Sequence, residues 1–500
     1  MHLRQGRGSV GAVLFLWAAT ALAGPTNGVV RPLSLADCFH IALEHNFDVK
    51  IARFEPEIQR HRLSADYGVY EPSLGLSGLH NYSASPGGLD PQKLPYPGTT
   101  TYEDSFNTGL NGLLPTGASY NLGGTANGIS GTGPSGSLTS DSAGASLTVL
   151  QPLLRNAWID GPREAILLDK KQLKISELAL RQQIMTTLTS VEQAYFNLVL
   201  AQEQVRVQEQ ALHLAQRLVN ESQSKVKAGA MAPYDEKQPE SALSGSQADL
   251  LGARGNLLAQ EYALKRLLSD KFSDWDGVRI EPTEKLAVGP QALDLHESWR
   301  RALTQRPDYL QAKLRIEQQG VVLKHARNQI YPELDLTGNY SQAGSGLTYA
   351  DALSGVRAGT GPSWTVGAQL TLPLLGNRAA RENYRASKAQ LEQQLVQLKQ
   401  LEQTIMIGIG IDVEQARTRL AQVDATKQSC LFAELALEAK QRLLDNGRTT
   451  SFEVVQLQRD LTTARLNELA ALAQYNQALA QLALDEGTTL ERDKLELQVK

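Results

Sequence analysis

Between Arg163 and Ala228, apolar side chains recur at intervals of three and four, as Leu167, Leu168, Ile175 and Leu178 and later Val199, Val205, Leu212, Leu214 and Leu218, with no glycine or proline in the stretch. That spacing predicts one uninterrupted amphipathic helix. Asn377–Asn446 repeats the pattern, broken only by Gly408 and Gly410 within Ile405–Ile411, where a bend or a close helix contact is expected. Each stretch is about 70 residues, a rod of roughly 100 Å at 1.5 Å per residue. Both are rich in Ala, Leu, Gln, Glu, Lys and Arg, all good helix formers. The rods end at Gly229 and Gly447, and the chain returns as helical segments Tyr234–Ser269 and Phe452–Asp485, so a long helical hairpin is expected in each half. Pro239 lies inside the first returning segment and should kink it or delay its start.

Elsewhere the period changes to two. Leu74, Leu76 and Tyr82 alternate with Ser73, Ser77 and Asn81; Leu334, Leu336 and Tyr340 with Asp335, Thr337 and Asn339; Trp364, Val366, Ala368, Leu370 and Leu372 with Thr365, Gly367, Gln369 and Thr371. The expected strands are 72–82, 104–113, 118–125 and 144–152 in the first half and 332–341 and 363–373 in the second. Runs of about 9–11 residues with one apolar and one small polar face suit a barrel wall between lipid and water. A β-sandwich wet on one side shows the same alternation. Leu114-Pro115-Thr116-Gly117 reads as a tight turn joining an added hairpin. Ser83–Thr101, Ser130–Ala143 and Ser341–Pro362 are rich in Gly, Ser, Pro and Thr and read as long exposed loops. Barrels start at about eight strands. An open sheet edge is not viable in lipid. Six strands per chain therefore imply that several chains share one barrel.

The chain is also written twice. Leu33–Gly78 aligns with Leu293–Gly338 without a gap, with 13 of 46 positions identical, among them Ala42/Ala302, Leu43/Leu303, Asp48/Asp308, Pro72/Pro332 and Gly78/Gly338. Gln151-Pro152-Leu153-Leu154-Arg155-Asn156 then matches Leu372-Pro373-Leu374-Leu375-Gly376-Asn377, and Gly229…Tyr234-Asp235 matches Gly447…Phe452-Glu453. Landmarks in the same order make a tandem duplication. The expected organisation is a first repeat over 24–288, a second over 289–487 and a tail over 488–500.

Met1–Ala23 reads as a secretory signal peptide: a weakly basic start, the short apolar run Gly11–Ala23 and the small-x-small site Ala21-Leu22-Ala23. Leu35-Ala36-Asp37-Cys38 resembles a lipidation box but lies well past the apolar run and has Asp before the Cys, so lipidation is rejected. The 49 basic residues against 53 acidic leave a net charge of −4, with no basic excess for nucleic acid. The eight histidines form no HExxH or comparable metal pair, and no GxSxG elbow or phosphate-cradling glycine loop occurs, so neither a cofactor nor an enzyme is expected. In an oxidising compartment Cys38 and Cys430 could pair. The helix lengths put Cys430 roughly 24 Å and Cys38 some 55 Å above the hairpin tip, so they are expected to stay apart. Trp158, Trp364, Tyr70 and Tyr331 sit near strand ends, where an interfacial aromatic belt or single packing roles are both open.

The order Leu33-Ser34-Leu35…Ala42-Leu43, extended helix, strand after Pro72, Gln151-Pro152-Leu153-Leu154, long rod and glycine-containing turn, all repeated, resembles the TolC-like outer-membrane efflux proteins over Pro32–Gly487. The resemblance implies an α+β membrane fold: a trimeric transmembrane β-barrel continuous with a long periplasmic α-helical barrel, built from two tandem repeats. It implies a homotrimer in outer-membrane lipid, a passive exit duct for efflux or type I secretion, served by a periplasmic adaptor and an inner-membrane transporter. It places a periplasmic gate at the second tip, Gly447, Arg448, Glu453 and Gln456, with Glu453 where the family usually has an aspartate and Gln456 where some relatives have a second acid. Thr450-Ser451-Phe452-Glu453 also spells a capping box, which would need Glu453 for the helix start alone. It places the adaptor contact at the first tip, Ala228, Gly229, Ala230 and Asp235, where a plain glycine C-cap is the alternative. A trimeric coiled-coil stalk without transport explains the rods but not the duplicated strand blocks.

Overall fold

The structure, a computed structural model, describes residues 29–133, 136–229, 232–289, 293–374 and 376–493. The expected signal peptide, Ala230 of the first tip and the tail beyond 493 lie outside the described residues. In chain order the elements are β1 (Val29–Leu33), α1 (Leu35–His45), α2 (Phe47–Tyr67), β2 (Ser73–Ser85), β3 (Gly88–Leu89), β4 (Pro95–Tyr96), β5 (Thr99–Leu113), β6 (Ser119–Gly133), β7 (Gly136–Pro152), α3 (Gly161–Lys227) and α4 (Lys237–Leu268). The second half continues with β8 (Val278–Pro282), α5 (Leu295–Gln305), α6 (Pro307–Asn328), β9 (Glu333–Gly346), α7 (Tyr349–Ala358), β10 (Pro362–Thr371), α8 (Arg378–Asp445), α9 (Ser451–Glu486) and α10 (Thr489–Arg492). The duplication is visible in the elements: α1 and α5 both have 11 residues, and each is followed after one residue by a helix of 21 or 22.

The six long strands form one antiparallel sheet in the order β10-β9-β7-β6-β5-β2, so the β5–β6 hairpin stands inside the wall and β2 and β10 are its free edges. The register sorts the side chains. Leu74, Leu110, Leu122 and Leu147 face one way with Val149, Leu336 and Val366, while Asn111, Asn121, Thr148, Asn339 and Thr365 face the other. On the polar face Asn339 donates to Thr148 at 2.8 Å. The strands run past the expected ends, because β6 and β7 continue through Ser130–Ala143, which composition marked as a loop. Within Ser130–Ala143 only Leu138 is large and apolar, so the alternation fades although the ladder goes on; Thr100 and Thr132 still meet at 2.8 Å.

A second correction is α7, inside the expected loop Ser341–Pro362. Thr348 caps its first turn and Gly359, in the left-handed region at φ +71°, ends it. It lies across β7 and β9 on the apolar face, where a Cβ at Gly344 would come within 2.1 Å of the Ala352 carbonyl oxygen.

The helices form a layer. Near the sheet α3 packs between α2 and α6, and α6 against α8; toward the far end α3 packs between α4 and α9, and α9 against α8. Pro239 sits in the first turn of α4, after a 3-10 turn over Pro233–Glu236, so it delays the helix rather than kinking it. Within the single chain no close helix contact is found at Gly408 or Gly410: α8 is continuous, and a Cβ at either would meet nothing within 4 Å. Both edges of the layer expose large apolar side chains, Ile51, Phe54 and Leu251 on one side and Ile407, Ile411 and Phe432 on α8.

Halfway along, a collar packs on α3 and α4. The parallel pair β1–β8 and helix α1 enclose Leu180, Ile184, Leu188 and Tyr195. The Tyr195 hydroxyl donates to the Leu33 carbonyl at 3.1 Å and accepts from the Glu284 amide at 3.2 Å. Cys38 lies in this core and Cys430 in a separate cluster with Leu437, Leu444 and Val454; both are free thiols. Burial pushes the Cys38 thiol up to about 12 and that of Cys430 up to about 11. The folded protein is therefore expected to resist a maleimide at neutral pH and to take up two labels once denatured; mass spectrometry of the two samples checks this.

Candidate functional site at the hairpin tips

Each rod stops at a glycine for a backbone reason. Gly229 and Gly447 have φ of +73° and +68°, and a Cβ at either would meet nothing within 4 Å, so conformation and not crowding selects glycine. The Gly447 amide donates to the Leu444 carbonyl at 3.1 Å and the Arg448 amide to Leu443 at 2.9 Å, closing the α8 end with the two reversed bonds of a Schellman turn. At the first tip the Gly229 amide donates to Val226 at 3.0 Å.

The two tips stand side by side. The Lys225 ammonium donates to the Leu444 carbonyl at 3.4 Å. Between them opens a groove of about 850 Å³ lined by Tyr234, Asp235, Gly447, Thr449 and Phe452 among others. Asp235, read as part of the adaptor tip, and Gly447, read as part of the gate, therefore border one cleft. Ala228 and Gly229 are exposed beside it. Gln456 is turned along its own helix, where its side-chain amide donates to Asp460 at 3.2 Å.

The expected capping box is absent. Thr450 is the N-cap of α9, but its side chain accepts no capping hydrogen bond. The Glu453 carboxylate instead accepts from the Lys440 ammonium at 2.5 Å and the Thr449 hydroxyl at 2.6 Å. Those two contacts, Lys440 first, hold the Glu453 carboxyl below its ordinary range. Lys440 and Thr449 were not singled out in the sequence. The signal for Lys440 is the hairpin register: it precedes the turn glycine by about as many residues as Glu453 follows it, so the two long side chains meet across the hairpin.

Higher on the rods, the carboxyl of Asp412 is pushed up to about 7, first by burial, then by the neighbouring Asp485 carboxylate and a hydrogen bond to it, against the opposing charge of Arg306. Arg306 is held by Asp485 at 2.9 Å and by Asp308 at 2.9 Å. The sign follows from proton binding. The folded chain keeps a proton on Asp412 that the unfolded chain releases above its ordinary pKa, so stability falls as pH rises toward 7. The melting temperature is expected to be higher at about pH 5.5 than at about pH 8. Asp412→Asn should shrink the difference, by a contribution of about 1 kcal/mol once solvent screening is allowed for.

Comparison with known proteins agrees with this architecture. The family described as outer membrane efflux protein matches residues 39–269 and 299–486. The chain is 22% identical to the outer membrane efflux protein BepC of Brucella suis, over 64% of this chain and 67% of that one. It is 21% identical to the cation efflux system protein CusC of Escherichia coli, over 64% and 68%. The fold resembles the CmeC outer membrane channel of Campylobacter jejuni, with a TM-score of 0.65, 18% identity and coverage of 93% of this chain and 90% of that one. It likewise resembles the open state of the Neisseria gonorrhoeae MtrE outer membrane channel, with a TM-score of 0.63, 17% identity and coverage of 92% and 91%. Tandem repeats, a sheet with one apolar face and rods of this length define an outer-membrane channel. The chain belongs to the outer membrane efflux protein family. It is an efflux channel of the outer membrane, with its helices in the periplasm.

Proposed function

We propose that three copies of the chain close one tube, with eighteen strands in its membrane wall, and that the tube is the passive exit duct of a tripartite pump or type I secretion system. The observation that carries this reading is the pair of unfinished edges. β2 and β10 each leave one side of the ladder without a partner, and the helical layer ends on both sides in exposed Ile, Leu and Phe. Unpaired backbone at a sheet edge is not tolerated in lipid, and each apolar edge gains by burial. Joining β10 of one copy to β2 of the next satisfies both. The polar sheet face then lines the bore mainly with Ser, Thr and Asn, with the carboxylates Glu103, Glu333 and Asp335 on the same face. The paired tips, with Glu453 held by Lys440, form the periplasmic gate, and the cleft beside Asp235 and Gly229 receives the adaptor that couples the duct to an inner-membrane transporter.

Reconstitution in planar bilayers tests the duct. The expected result is a heat-sensitive trimer on gels and stepwise ion conductance. A stable trimer that conducts nothing would instead identify a periplasm-spanning stalk.

A further inference from the structure

Where the sheet meets the helices, a pocket of about 640 Å³ opens between α2, α3 and α6. Its apolar wall includes Tyr70, Pro115, Trp158, Ile166 and Tyr331. These residues come from one end of the sheet: Tyr70 just before β2, Pro115 in the β5–β6 turn, Trp158 soon after β7 and Tyr331 just before β9. That end is where the rods begin, so the pocket sits at the periplasmic boundary of the membrane. Trp158 is 80% exposed, a costly placement in water and a favourable one at a lipid interface.

The pocket opens outward. Ile166 and Lys170 lie five helical turns along α3 from Ile184 and Leu188 and share their face, and that is the face on which the collar of α1, β1 and β8 packs. A packed collar on that face would fill the bore, so it marks the outside of the tube.

Four cations line the pocket, Arg163, Lys170, Lys324 and Arg327, and the first is committed to a carboxylate. Neighbouring charges are taken: Arg163 by Asp160, Lys171 by Glu317 and His325 by Glu164. Lys170, Lys324 and Arg327 have no carboxylate partner among the described residues; Lys170 stands over the Tyr67 ring at 5.6 Å. Of the nearby acids, Asp169 has its carboxyl pushed above the ordinary range, first by burial and then by the neighbouring Asp66, against the opposing charge of Arg62. An apolar cleft with an aromatic rim and three uncommitted cations, at the level of lipid headgroups, matches a negatively charged amphiphile.

We propose that this pocket binds an anionic phospholipid of the periplasmic leaflet, its phosphate among Lys170, Lys324 and Arg327 and the start of its acyl chains along Trp158, Ile166 and Tyr331. The proposal rests on the outer-membrane location of the chain and not on the gate. The test uses the full assembled protein in vesicles doped with brominated phosphatidylglycerol or brominated phosphatidylcholine. Trp158 fluorescence is isolated by subtracting a Trp158→Phe sample. Half-quenching is expected at about a hundredfold less phosphatidylglycerol than phosphatidylcholine, and each cation replaced by glutamine is expected to lower that preference about fivefold. The triple variant Lys170→Gln/Lys324→Gln/Arg327→Gln should show no preference while still forming a conducting trimer. Should it fail to assemble, Arg327→Gln alone gives the same reading. Equal quenching of the unaltered protein by both lipids would overturn the proposal. So would relief of quenching by millimolar inorganic phosphate, which would mark a free-anion site, or a Trp158 that neither lipid reaches, which would mark a protein-covered surface. A chain that prefers phosphatidylglycerol but does not conduct would leave the lipid site standing and refute the duct.

Discussion

Replacing Ile407 and Ile411 together by aspartate is expected to abolish the trimer. The two side chains lie one turn apart on α8, 64% and 52% exposed in the single chain. Gly410 lies with them on one open surface groove, and a Cβ there would meet nothing within 4 Å. On the same helix Ile405, Ile409 and Val413 are fully covered by the chain's own packing. Large apolar residues on the opposite side need a second partner. If the next copy supplies it, each isoleucine contributes about 1.5–3 kcal/mol at every interface. A carboxylate buried there without a partner adds several kcal/mol against assembly. The expected observation is a monomer after detergent extraction, by migration of unheated samples and by sedimentation. Ile407→Leu with Ile411→Leu, which keeps volume and polarity, should retain the trimer. A trimer that survives the aspartates but conducts differently would place both residues in the bore and not between copies.

What could be read from the sequence, and what could not, divides by the range of the interaction. The rods were legible because their seams and stops are local. Asp160 caps α3 by accepting from the Arg163 amide at 2.9 Å, and the structure starts and ends α3 and α8 within two residues of the expected Arg163–Ala228 and Asn377–Asn446. The faces of the sheet were legible from period two. The collar strands β1 and β8 were missed: each has five residues, and they pair in parallel across most of a repeat, so neither carries its own signal. Helix α7 had a signal that composition hid, since Thr348 accepts from the Asp351 amide at 3.3 Å and Ala352, Leu353 and Val356 keep helical spacing. The capping box illustrates the same division. The pattern works at Ser34 and Asp37, where both reciprocal bonds form. At Thr450 it fails because Lys440, on the other arm of the hairpin, offers the Glu453 carboxylate a full charge where the backbone offers only an amide.

That competition sets up the second large effect, at the proposed gate. Glu453 is half-exposed and ionised, yet Lys440 neutralises it, so in the proposed trimer three such pairs would leave the entrance with little net field. Lys440→Ala removes the counter-charge and leaves three bare carboxylates, and Glu453→Gln leaves three bare ammonium groups. A unit charge at contact distance in water changes an ion's energy by about 1 kcal/mol, or about fivefold in population. Lys440→Ala is therefore expected to shift the channel toward cations by about that factor and to make it sensitive to divalent block. Glu453→Gln should shift it by a similar factor toward anions, and the double variant should return near the starting selectivity. Reversal potentials in asymmetric KCl read all four cases. The pH dependence carries a separate sign. Lys440 and Thr449 hold the Glu453 carboxyl below its ordinary range, so the unaltered channel should keep its selectivity as pH falls through about 4.3, the usual glutamate value. Lys440→Ala should lose its cation preference there, because the unpaired carboxylates take up protons at the ordinary pH. If the single variants match the unaltered channel at every pH, the pair lies outside the ion path and serves only to fasten the two arms of the hairpin.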